Sequence, residues 1–283
     1  MERKIKKKVQ GFPTVDGAGV KLIRVLGNKT VQDFDPFLML DSFDSDNPDD
    51  YIAGFPMHPH RGIETISYVY QGGMVHRDSL GHEDAISDGE VQWMTAGSGI
   101  LHEETLPAAE RMLGVQLWLN LAARDKMVAP AYISIKNDAI PEVSFSGGFL
   151  RVLAGSYGDV TGHQAQYQPL DYYDIHLEAE SSLIVDTHPD RTVVLFTIEG
   201  DARIGGERVA AKTAVLCSPG EQITVGATEA PAQVLFMSAP PLNEPVVWGG
   251  PIVMNTRSEL QQAFAELEDG TFLQKEMTYN EET

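Results

Sequence analysis

Cysteine is almost absent from this sequence: Cys217 is the only one in 283 residues. A single cysteine excludes an intrachain disulfide, so nothing here calls for an oxidising compartment. Long apolar runs are absent too, since none approaches the roughly 18 residues that a membrane-spanning helix needs. The basic N-terminus is interrupted by Gly11 and Pro13 and lacks the apolar stretch of a secretory signal. These absences predict a cytoplasmic protein with no membrane partner.

Positive charge is also scarce. Lys and Arg number 21 against 41 Asp and Glu, which gives a formal charge of −20. A field of that sign repels nucleic-acid phosphates and anionic membranes. The only basic cluster, residues 1–8, predicts a short solvated arm. Direct nucleic-acid binding is therefore not expected, whereas a neutral small molecule is compatible with the charge. Hydrophobic residues make up 42% of the chain, which is enough for a packed core.

Strand patterns recur along the whole chain, as short segments rich in Val, Ile, Tyr and Thr between turn-forming residues. Within 114–121, Val115, Leu117 and Leu119 alternate with Gln116 and Trp118. That period of two predicts a sheet with one face in a core and the other lining something more polar. Many short strands predict an all-β sandwich or barrel. The predicted strands are 20–25, 65–70, 91–95, 114–121, 149–153, 172–177, 192–198, 213–216 and 234–238.

A repeated pattern predicts two copies of one β-domain. Tyr-Val-Tyr-Gln-Gly at 68–72 is followed by Asp-Gly-Glu-Val at 88–91, and Phe-Thr-Ile-Glu-Gly at 196–200 is followed at a similar interval by Pro-Gly-Glu-Gln at 219–222. Each pair fits a strand with a Gly turn, a hairpin and a Gly-Glu turn into the next strand. Pro141 and the Gly147-Gly148 pair mark the junction. We therefore expect an N-terminal barrel over 1–140 and a C-terminal barrel with a terminal helix over 141–283.

One helix is predicted near the C-terminal end. Thr256 can cap its start and Gly270 can end it. Between them, apolar residues fall on one face at spacings of three and four, at Leu260, Ala263, Phe264 and Leu267. The pattern predicts a helix that covers a sheet and carries no chemistry.

The histidines of the first half have the spacing of a metal site. On an extended chain, residues i and i+2 point to the same face, so His58 and His60 present both imidazoles to one side. His102 and Glu104 repeat that spacing. If the two segments lie on neighbouring strands of one barrel, three nitrogens and one oxygen converge. Such a set suits one divalent transition-metal ion, and the ligand types alone leave Fe2+, Mn, Co, Ni, Cu and Zn open.

Longer sequence words resemble the pirin family of cupin proteins. They are Phe-Pro-x-His-Pro-His-Arg-Gly-x-Glu-Thr from residue 55, Gln-Trp-Met-Thr-Ala-Gly-Ser-Gly-Ile-Leu-His from residue 92 and Gly-Pro-Ile-Val-Met-Asn-Thr from residue 250. The resemblance runs from about residue 19 to residue 256. It implies a bicupin of two stacked antiparallel β-barrels, with the metal only in the N-terminal barrel. It also implies ligands at His58, His60, His102 and Glu104.

Two departures from the general cupin pattern affect the site. Many cupins take a carboxylate ligand from the position of Glu64, but the pirin resemblance moves that role to Glu104 and leaves Glu64 as a supporting or structural residue. Gly97 stands where many cupins have a proline. His76 and His82 lie between the two motifs and are predicted to be polar loop residues. The C-terminal half has no His-x-His pair, so we expect it to hold no metal.

The resemblance implies quercetin 2,3-dioxygenase activity. An octahedral ion with four protein ligands leaves two open positions, where a chelating flavonol and O2 could meet. The flavonol 3-hydroxyl and 4-carbonyl bind metals once the hydroxyl has lost its proton, and our hypothesis is that Glu104 accepts that proton as general base. Ring cleavage would release carbon monoxide. Phe55 and Trp118 are candidate apolar walls for the flat substrate, although each fits a core position equally well.

Two other functions stay open. Some pirins act as transcription cofactors, so one alternative is a redox-responsive, metal-binding regulator that binds regulator proteins without turnover. That function needs an ion with two oxidation states, which iron provides and zinc does not. The net charge favours contact with a DNA-bound protein over contact with DNA. The other alternative is a binding or storage protein with a structural metal. In each case we expect a monomer.

Overall fold

Antiparallel β-sheet makes up nearly all of the regular structure in the computed structural model, which describes residues 1–274. Its strands include every predicted one, and the predicted all-β bicupin fold class is confirmed. No helix in this part of the chain is long and apolar enough to cross a lipid bilayer. The first strands are β1 (Ile5–Gln10), β2 (Phe12–Asp16), β3 (Val20–Leu26), β4 (Phe37–Ser45), β5 (Phe55–His60), β6 (Ile63–Gln71), β7 (Gly73–Asp78), β8 (Glu83–Ser87), β9 (Glu90–Thr95), β10 (Ile100–Thr105), β11 (Met112–Asn120), β12 (Ala131–Ile135) and β13 (Glu142–Phe145).

The remaining elements are also mostly short strands. They are β14 (Gly148–Ala154), β15 (Ser156–Tyr157), β16 (Val160–Thr161), β17 (Asp171–Leu177), β18 (Ser182–Asp186), β19 (Thr192–Glu199), β20 (Ala202–Ile204), β21 (Glu207–Val209), β22 (Thr213–Cys217), β23 (Gln222–Ala227), β24 (Ala232–Ala239), β25 (Val247–Gly249), β26 (Ile252–Met254) and the helix α1 (Arg257–Asp269). Short 3-10 turns occur at Pro48–Asp50, Ala123–Asp125 and Asn137–Ala139.

The chain forms two compact units, each with parts that are distant in sequence. The first unit contains Pro13–Arg24, Phe37–Lys136 and the chain from Asn243 onward. The second unit contains Met1–Phe12, Val25–Pro36 and Asn137–Leu242. These units differ from the linear division expected at residue 140, because each takes a terminal segment from the opposite end of the chain. The boundary at 140 stays a prediction about domains along the sequence.

Each unit holds one seven-stranded and one four-stranded sheet. In the first unit the orders are β12-β9-β6-β11-β4-β3-β2 and β5-β10-β7-β8. In the second they are β1-β22-β19-β24-β17-β14-β13 and β18-β23-β20-β21. The two units follow the same strand order, with one exchange: the edge that β12 occupies in the first unit is occupied by the N-terminal β1 in the second. Two copies of one β-domain are therefore present.

Only half of the sequence echo marks equivalent places. Gly72 follows β6 and Gly200 follows β19, and these strands hold matching positions in the two large sheets. The Gly-Glu turns do not match, because Glu90 begins β9 of a large sheet whereas Gln222 begins β23 of a small one. The similar interval after the two strands is therefore coincidental, and strand order alone establishes the repeat.

The basic N-terminus is a strand, so the expected solvated arm is wrong. β1 pairs antiparallel with β22 at the edge of the large sheet. Arg3 is buried and donates to Thr187 Oγ1 at 2.6 Å and to the Ser218 carbonyl at 2.8 Å. The charge pattern was misleading because the lysines of β1 are exposed while the backbone between them completes a sheet.

The helix α1 begins and ends where the sequence predicts. Thr256 accepts a hydrogen bond from the Glu259 amide in a capping box, and Gly270 ends the helix with a left-handed φ of 72°. The helix covers the β25–β26 hairpin rather than a barrel sheet. Phe264 is the exception on its apolar face, with 39% of its surface exposed. Leu260, Ala263 and Leu267 pack in the cluster that contains Ile252 and Met254 of the hairpin, and the Phe264 ring lies against Gly249 of β25.

The turn between β9 and β10 explains why this chain has Gly97 where many cupins have a proline. Gly97 lies in this turn with a φ of 49°, which a proline ring cannot adopt. A side-chain carbon at this position would also collide with the carbonyl oxygen of Val128. The turn that leads the chain into β10 therefore requires glycine.

Arg61 ties the turn after β5 to the C-terminal segment within the first unit. Its guanidinium donates to the Ser98 carbonyl at 2.7 Å, the Phe272 carbonyl at 2.8 Å and the Glu266 carboxylate at 2.6 Å. The same group lies 4.2 Å from the centre of the Phe272 ring. Because Arg61 is only 2% exposed, its removal leaves buried acceptors without a donor.

We expect Arg61→Met to lower the free energy of unfolding by about 2–6 kcal/mol, because the buried Ser98 and Phe272 carbonyls each lose their donor at a cost of about 1–3 kcal/mol. Arg77→Met is the matched control, because Arg77 is exposed and pairs with Glu103 on the surface. Its cost should stay below about 1 kcal/mol. Urea unfolding of both variants measures the difference. Equal costs would show that the Arg61 contacts contribute nothing beyond a surface pair.

Candidate metal centre

β5 and β10 are neighbours in the small sheet of the first unit, as a shared metal site requires. In their antiparallel register, His102 lies opposite His58. β5 is the edge strand of that sheet, where the missing amide hydrogens of Pro56 and Pro59 interrupt no internal ladder. The strand pairing and the i, i+2 spacing bring His58, His60 and His102 together.

The donor atoms of these three imidazoles lie within 4.8 Å of one another. His58 Nδ1 is 2.9 Å from the Pro56 carbonyl oxygen, and His60 Nδ1 is 3.0 Å from that of Pro251. A carbonyl only accepts, so each Nδ1 carries the proton and each Nε2 presents a lone pair. The two Nε2 atoms are 3.1 Å apart. Facing lone pairs at that distance repel unless a cation lies between them, which is the arrangement that a metal ion fits.

His102 provides the third nitrogen. Its Nε2 is buried and has no hydrogen-bond partner within residues 1–274. A buried polar atom without a partner costs about 1–3 kcal/mol. The centre of the His102 ring lies 4.4 Å from that of His58 and 5.1 Å from that of His60. An orphaned nitrogen beside two other lone pairs fits a metal ligand.

Burial keeps the imidazoles of His60 and His102 neutral. Loss of solvent lowers the pKa of His60 to about 3, and the neighbouring His58 adds to that shift. For His102, burial and then the nearby histidines lower the pKa well below its usual value. Neutral imidazole is the form that binds a transition metal. Nitrogen donors of this kind suit a borderline divalent ion.

Glu104 lies two residues beyond His102 on β10 and is buried. Its carboxylate accepts hydrogen bonds from the side-chain amides of Gln92 and Gln116, the latter at 2.9 Å. It is not among the groups whose donor atoms cluster within 4.8 Å in the described chain. A register shift between His102 and Glu104 interrupts the pairing with β5 at this point. Its role as fourth ligand therefore stays a prediction.

Glu64, the ligand position of many other cupins, faces away from this cluster. Its carboxylate accepts a hydrogen bond from Thr95 Oγ1 at 2.8 Å. Ser67, which the amides of Gln92 and Gln116 contact, lies three residues along the same strand. An odd offset on a strand places the two side chains on opposite faces. Burial raises the pKa of Glu64 to about 7, against the opposing effect of the Thr95 hydrogen bond.

The two candidate walls lie in different surroundings. Phe55 packs against a core cluster, with its ring edge-on to Phe43 at 6.1 Å between centres. Trp118 stands edge-on to His60 at 4.9 Å, and Trp248 lies 5.6 Å from Trp118. Of the predicted pair, only Trp118 contacts a member of the histidine cluster in these ring contacts. A substrate role for either residue stays a prediction.

Three neighbours of the cluster were missed from the sequence. His76, expected in a loop, lies buried on β7 and hydrogen-bonds Asp78 at 3.0 Å. Pro251 supplies the carbonyl that holds His60. The His-x-Asp spacing on an extended segment was an available signal, because it is the same i, i+2 relation that marked His58 and His60. No local signal links Pro251 to a residue 191 positions away.

Known proteins match this chain over most of its length. The family model described as Pirin matches residues 19–119, and that of the Pirin C-terminal cupin domain matches residues 172–273. A pirin-like protein of Caulobacter vibrioides is 43% identical over 275 residues, which cover 95% of this chain and 99% of that protein. A Pseudomonas aeruginosa protein that carries a provisional quercetin 2,3-dioxygenase name is 42% identical over 270 residues, covering 92% and 94% respectively.

A solved structure shows the same fold over nearly the full length of the match. The crystal structure of a quercetin 2,3-dioxygenase from Acinetobacter baumannii has a TM-score of 0.89 and 32% sequence identity. The match covers 98% of this chain and 100% of that one.

The burial of Glu64 predicts a pH-dependent effect of Glu64→Gln. A folded pKa of about 7 lies above the ordinary value of 4.5, so the protonated form adds stability at low pH that is lost as the pH rises through 7. The neutral amide avoids that loss. Relative to the parent protein, the variant should therefore gain about 2–3 kcal/mol of unfolding free energy between pH 5 and pH 8.

Urea unfolding at both pH values measures this gain in the metal-free protein. Glu83→Gln is the control. Because Glu83 is exposed, this substitution should change the free energy of unfolding by a similar amount at pH 5 and at pH 8. A Glu64→Gln difference that does not change between pH 5 and pH 8 would contradict the raised pKa.

Proposed function

The chain belongs to the pirin family, and on that premise we propose that it is a metal-dependent dioxygenase that cleaves flavonols such as quercetin with release of carbon monoxide. One observation carries the proposal: the donor nitrogens of His58, His60 and His102 converge within 4.8 Å of one another on the small sheet of the first unit. The quercetin 2,3-dioxygenase names of the P. aeruginosa and A. baumannii proteins support the substrate class.

The donor set determines which ion would fit. His58, His60 and His102 would hold a divalent transition metal, with Glu104 as the fourth ligand. We propose Fe2+, and the same donors accept Mn, Co, Ni, Cu or Zn. When bound, the ion would supply Lewis acidity toward the flavonol oxygens and the electron transfer that chemistry with O2 requires.

Glu104 is the proposed proton acceptor for the flavonol 3-hydroxyl. Its carboxylate is buried and oriented by two amide donors, Gln92 and Gln116. Each carboxylate oxygen offers two lone pairs, so one that already accepts an amide hydrogen bond can still accept another proton. Both amides fix the carboxylate on the face of β10 that carries His102. Removal of the 3-hydroxyl proton makes the flavonol electron-rich and ready for oxygenation.

Trp118 is the proposed wall for the flat substrate. It touches His60 and is itself flanked by Trp248, whose indole nitrogen donates to the Gly250 carbonyl at 2.7 Å. The indole nitrogen of Trp118 is buried and has no hydrogen-bond partner in the described chain. An aromatic face with an unused donor suits a flat, oxygen-rich ligand. Phe55, packed in the core cluster, is the weaker candidate.

Metal content provides the first test. We expect the parent protein, reconstituted anaerobically with Fe2+, to hold one ion per chain by inductively coupled plasma mass spectrometry. His102→Ala should reduce that content to background, because it removes the buried nitrogen that has no other partner. His188→Ala, an exposed position of the second unit, should leave it unchanged. A parent protein that retains no metal after reconstitution would refute the site.

Turnover of quercetin tests the role of Glu104. Glu104→Gln keeps the size of the side chain and removes its basicity, so quercetin loss should slow about 10²–10⁴-fold, the usual contribution of a general base. Glu103→Gln is the matched control, because Glu103 alternates with Glu104 and pairs with Arg77 at the surface. Metal content is measured in each variant, so that a lost ligand is not mistaken for a lost base.

Two outcomes would contradict this function. Glu104→Gln turnover at the parent rate would refute the base assignment. Stoichiometric metal in the parent protein with no loss of quercetin would favour the regulatory alternative, in which the metal-loaded protein binds a partner protein.

A further inference from the structure

A buried line of hydrogen bonds runs from Asp78 through His76 to His102. Asp78 and His76 both lie on β7, the strand beside β10, with Asp78 opposite His102 and His76 opposite Glu104. His76 Nε2 is 3.0 Å from Asp78 Oδ2, and His76 Nδ1 is 3.4 Å from His102 Nδ1. His76 has no exposed surface, and Asp78 has 5%. None of the roles proposed above uses these two residues.

The direction of these hydrogen bonds follows from Asp78. A carboxylate only accepts, so His76 Nε2 carries the proton and donates it to Asp78. In a neutral His76 the other nitrogen, Nδ1, then has a lone pair and can only accept. His102 Nδ1 must therefore be the donor, which leaves the Nε2 of His102 without a proton. That nitrogen is buried and has no hydrogen-bond partner among residues 1–274, so its lone pair is available to a metal ion.

We propose that His76 and Asp78 are positioning residues that hold His102 in the tautomer a metal ion requires. The proposal rests on the metal site of the proposed function, and it does not depend on the reaction or on the substrate. Contacts of this kind beyond the ligands fix the ring orientation and typically change metal affinity about 10–100-fold.

The surroundings hold both positioning groups in place. Tyr132 stacks on the His76 ring with 4.0 Å between ring centres and 10° between planes. The second oxygen of Asp78, Oδ1, accepts from the backbone amides of Leu80 at 2.8 Å and His82 at 3.2 Å. Because those amides can only donate, the atom at the position of Asp78 Oδ1 must remain a hydrogen-bond acceptor.

Asp78→Asn should therefore reverse the direction of the hydrogen bonds from residue 78 through His76 to His102, while the size of the side chain stays the same. The amide oxygen has to take the place of Oδ1 opposite the two backbone donors, which turns the NH2 group toward His76. His76 Nε2 would then accept, its Nδ1 would carry the proton, and His102 Nδ1 would accept in turn. His102 Nε2 would become protonated and unable to bind a metal.

The tautomer can be measured directly in the metal-free protein by long-range ¹H–¹⁵N correlation spectra of ¹⁵N-histidine-labelled chain. We expect His102 to carry its proton on Nδ1 in the parent protein and on Nε2 in Asp78→Asn. Co2+ affinity, measured by competition with a chromophoric chelator, should fall about 10–100-fold in Asp78→Asn. A merely structural role would not move the ring proton.

A second pair of variants keeps the test valid if Asp78→Asn does not fold. His76→Asn places an amide oxygen near the former Nδ1 and so keeps an acceptor for His102, whereas His76→Leu removes it. We expect Co2+ affinity to fall in His76→Leu and to recover at least in part in His76→Asn. His82→Asn is the control, because His82 contacts the same Asp78 oxygen at 2.9 Å but is not part of the line to His102.

Either of two results would overturn the proposal: a proton on Nε2 of His102 in the metal-free parent protein, or equal Co2+ affinity in His76→Leu and His76→Asn. Failure of quercetin turnover would leave the tautomer and affinity measurements unaffected. The proposal and the dioxygenase function therefore fail separately.

Discussion

The antiparallel pairing of β5 with β10 is the constraint on which the candidate centre depends. It places His102 opposite His58, and a shift of one residue would turn one set of ligands to the other face of the sheet. β5 carries two prolines and lies at the edge, so it contributes few donors of its own. The register is set by β10, which pairs with β7 on its other side. The same β10 pairing that aligns the ligands also brings His76 and Asp78 beside His102.

The C-terminal segment is the second support of the centre. The Pro251 carbonyl holds His60 Nδ1, and the segment around it is held by a buried lysine. Lys126 donates to the Val253 carbonyl at 2.9 Å, the Gly62 carbonyl at 2.8 Å and Asn120 Oδ1 at 2.6 Å. Burial lowers the pKa of Lys126 to about 7. The orientation of one ligand therefore depends on residues from three distant parts of the chain, all within the first unit.

Sequence reasoning succeeded where one local periodicity decides the outcome. The i, i+2 spacing of His58 and His60 needs only an extended backbone, and the cap at Thr256 needs only one turn of helix. It failed where strand neighbours decide the outcome. No local pattern shows that β7 lies beside β10, so the sequence predicts a loop at His76, and no pattern shows that β1 completes the sheet of the second unit. Register between distant strands is a property of the assembled sheet and leaves little trace in a single segment.

The two units show that the shared topology does not determine the chemistry. In the second unit, β18 and β23 hold the places of β5 and β10, but their inward residues, among them Val185, Ile223 and Val225, join an apolar core. Burial of such residues stabilises a fold by roughly 25 cal/mol per Å². In the first unit, the same places carry imidazoles, and buried polar atoms of Thr65 and Trp118 lack partners among residues 1–274. That interior costs stability until a ligand supplies the missing partners, so binding and stability are coupled in the first unit. The second unit also holds buried polar atoms without partners, at Tyr172, Gln233 and Ser238, but its described residues contain no cluster of potential metal ligands.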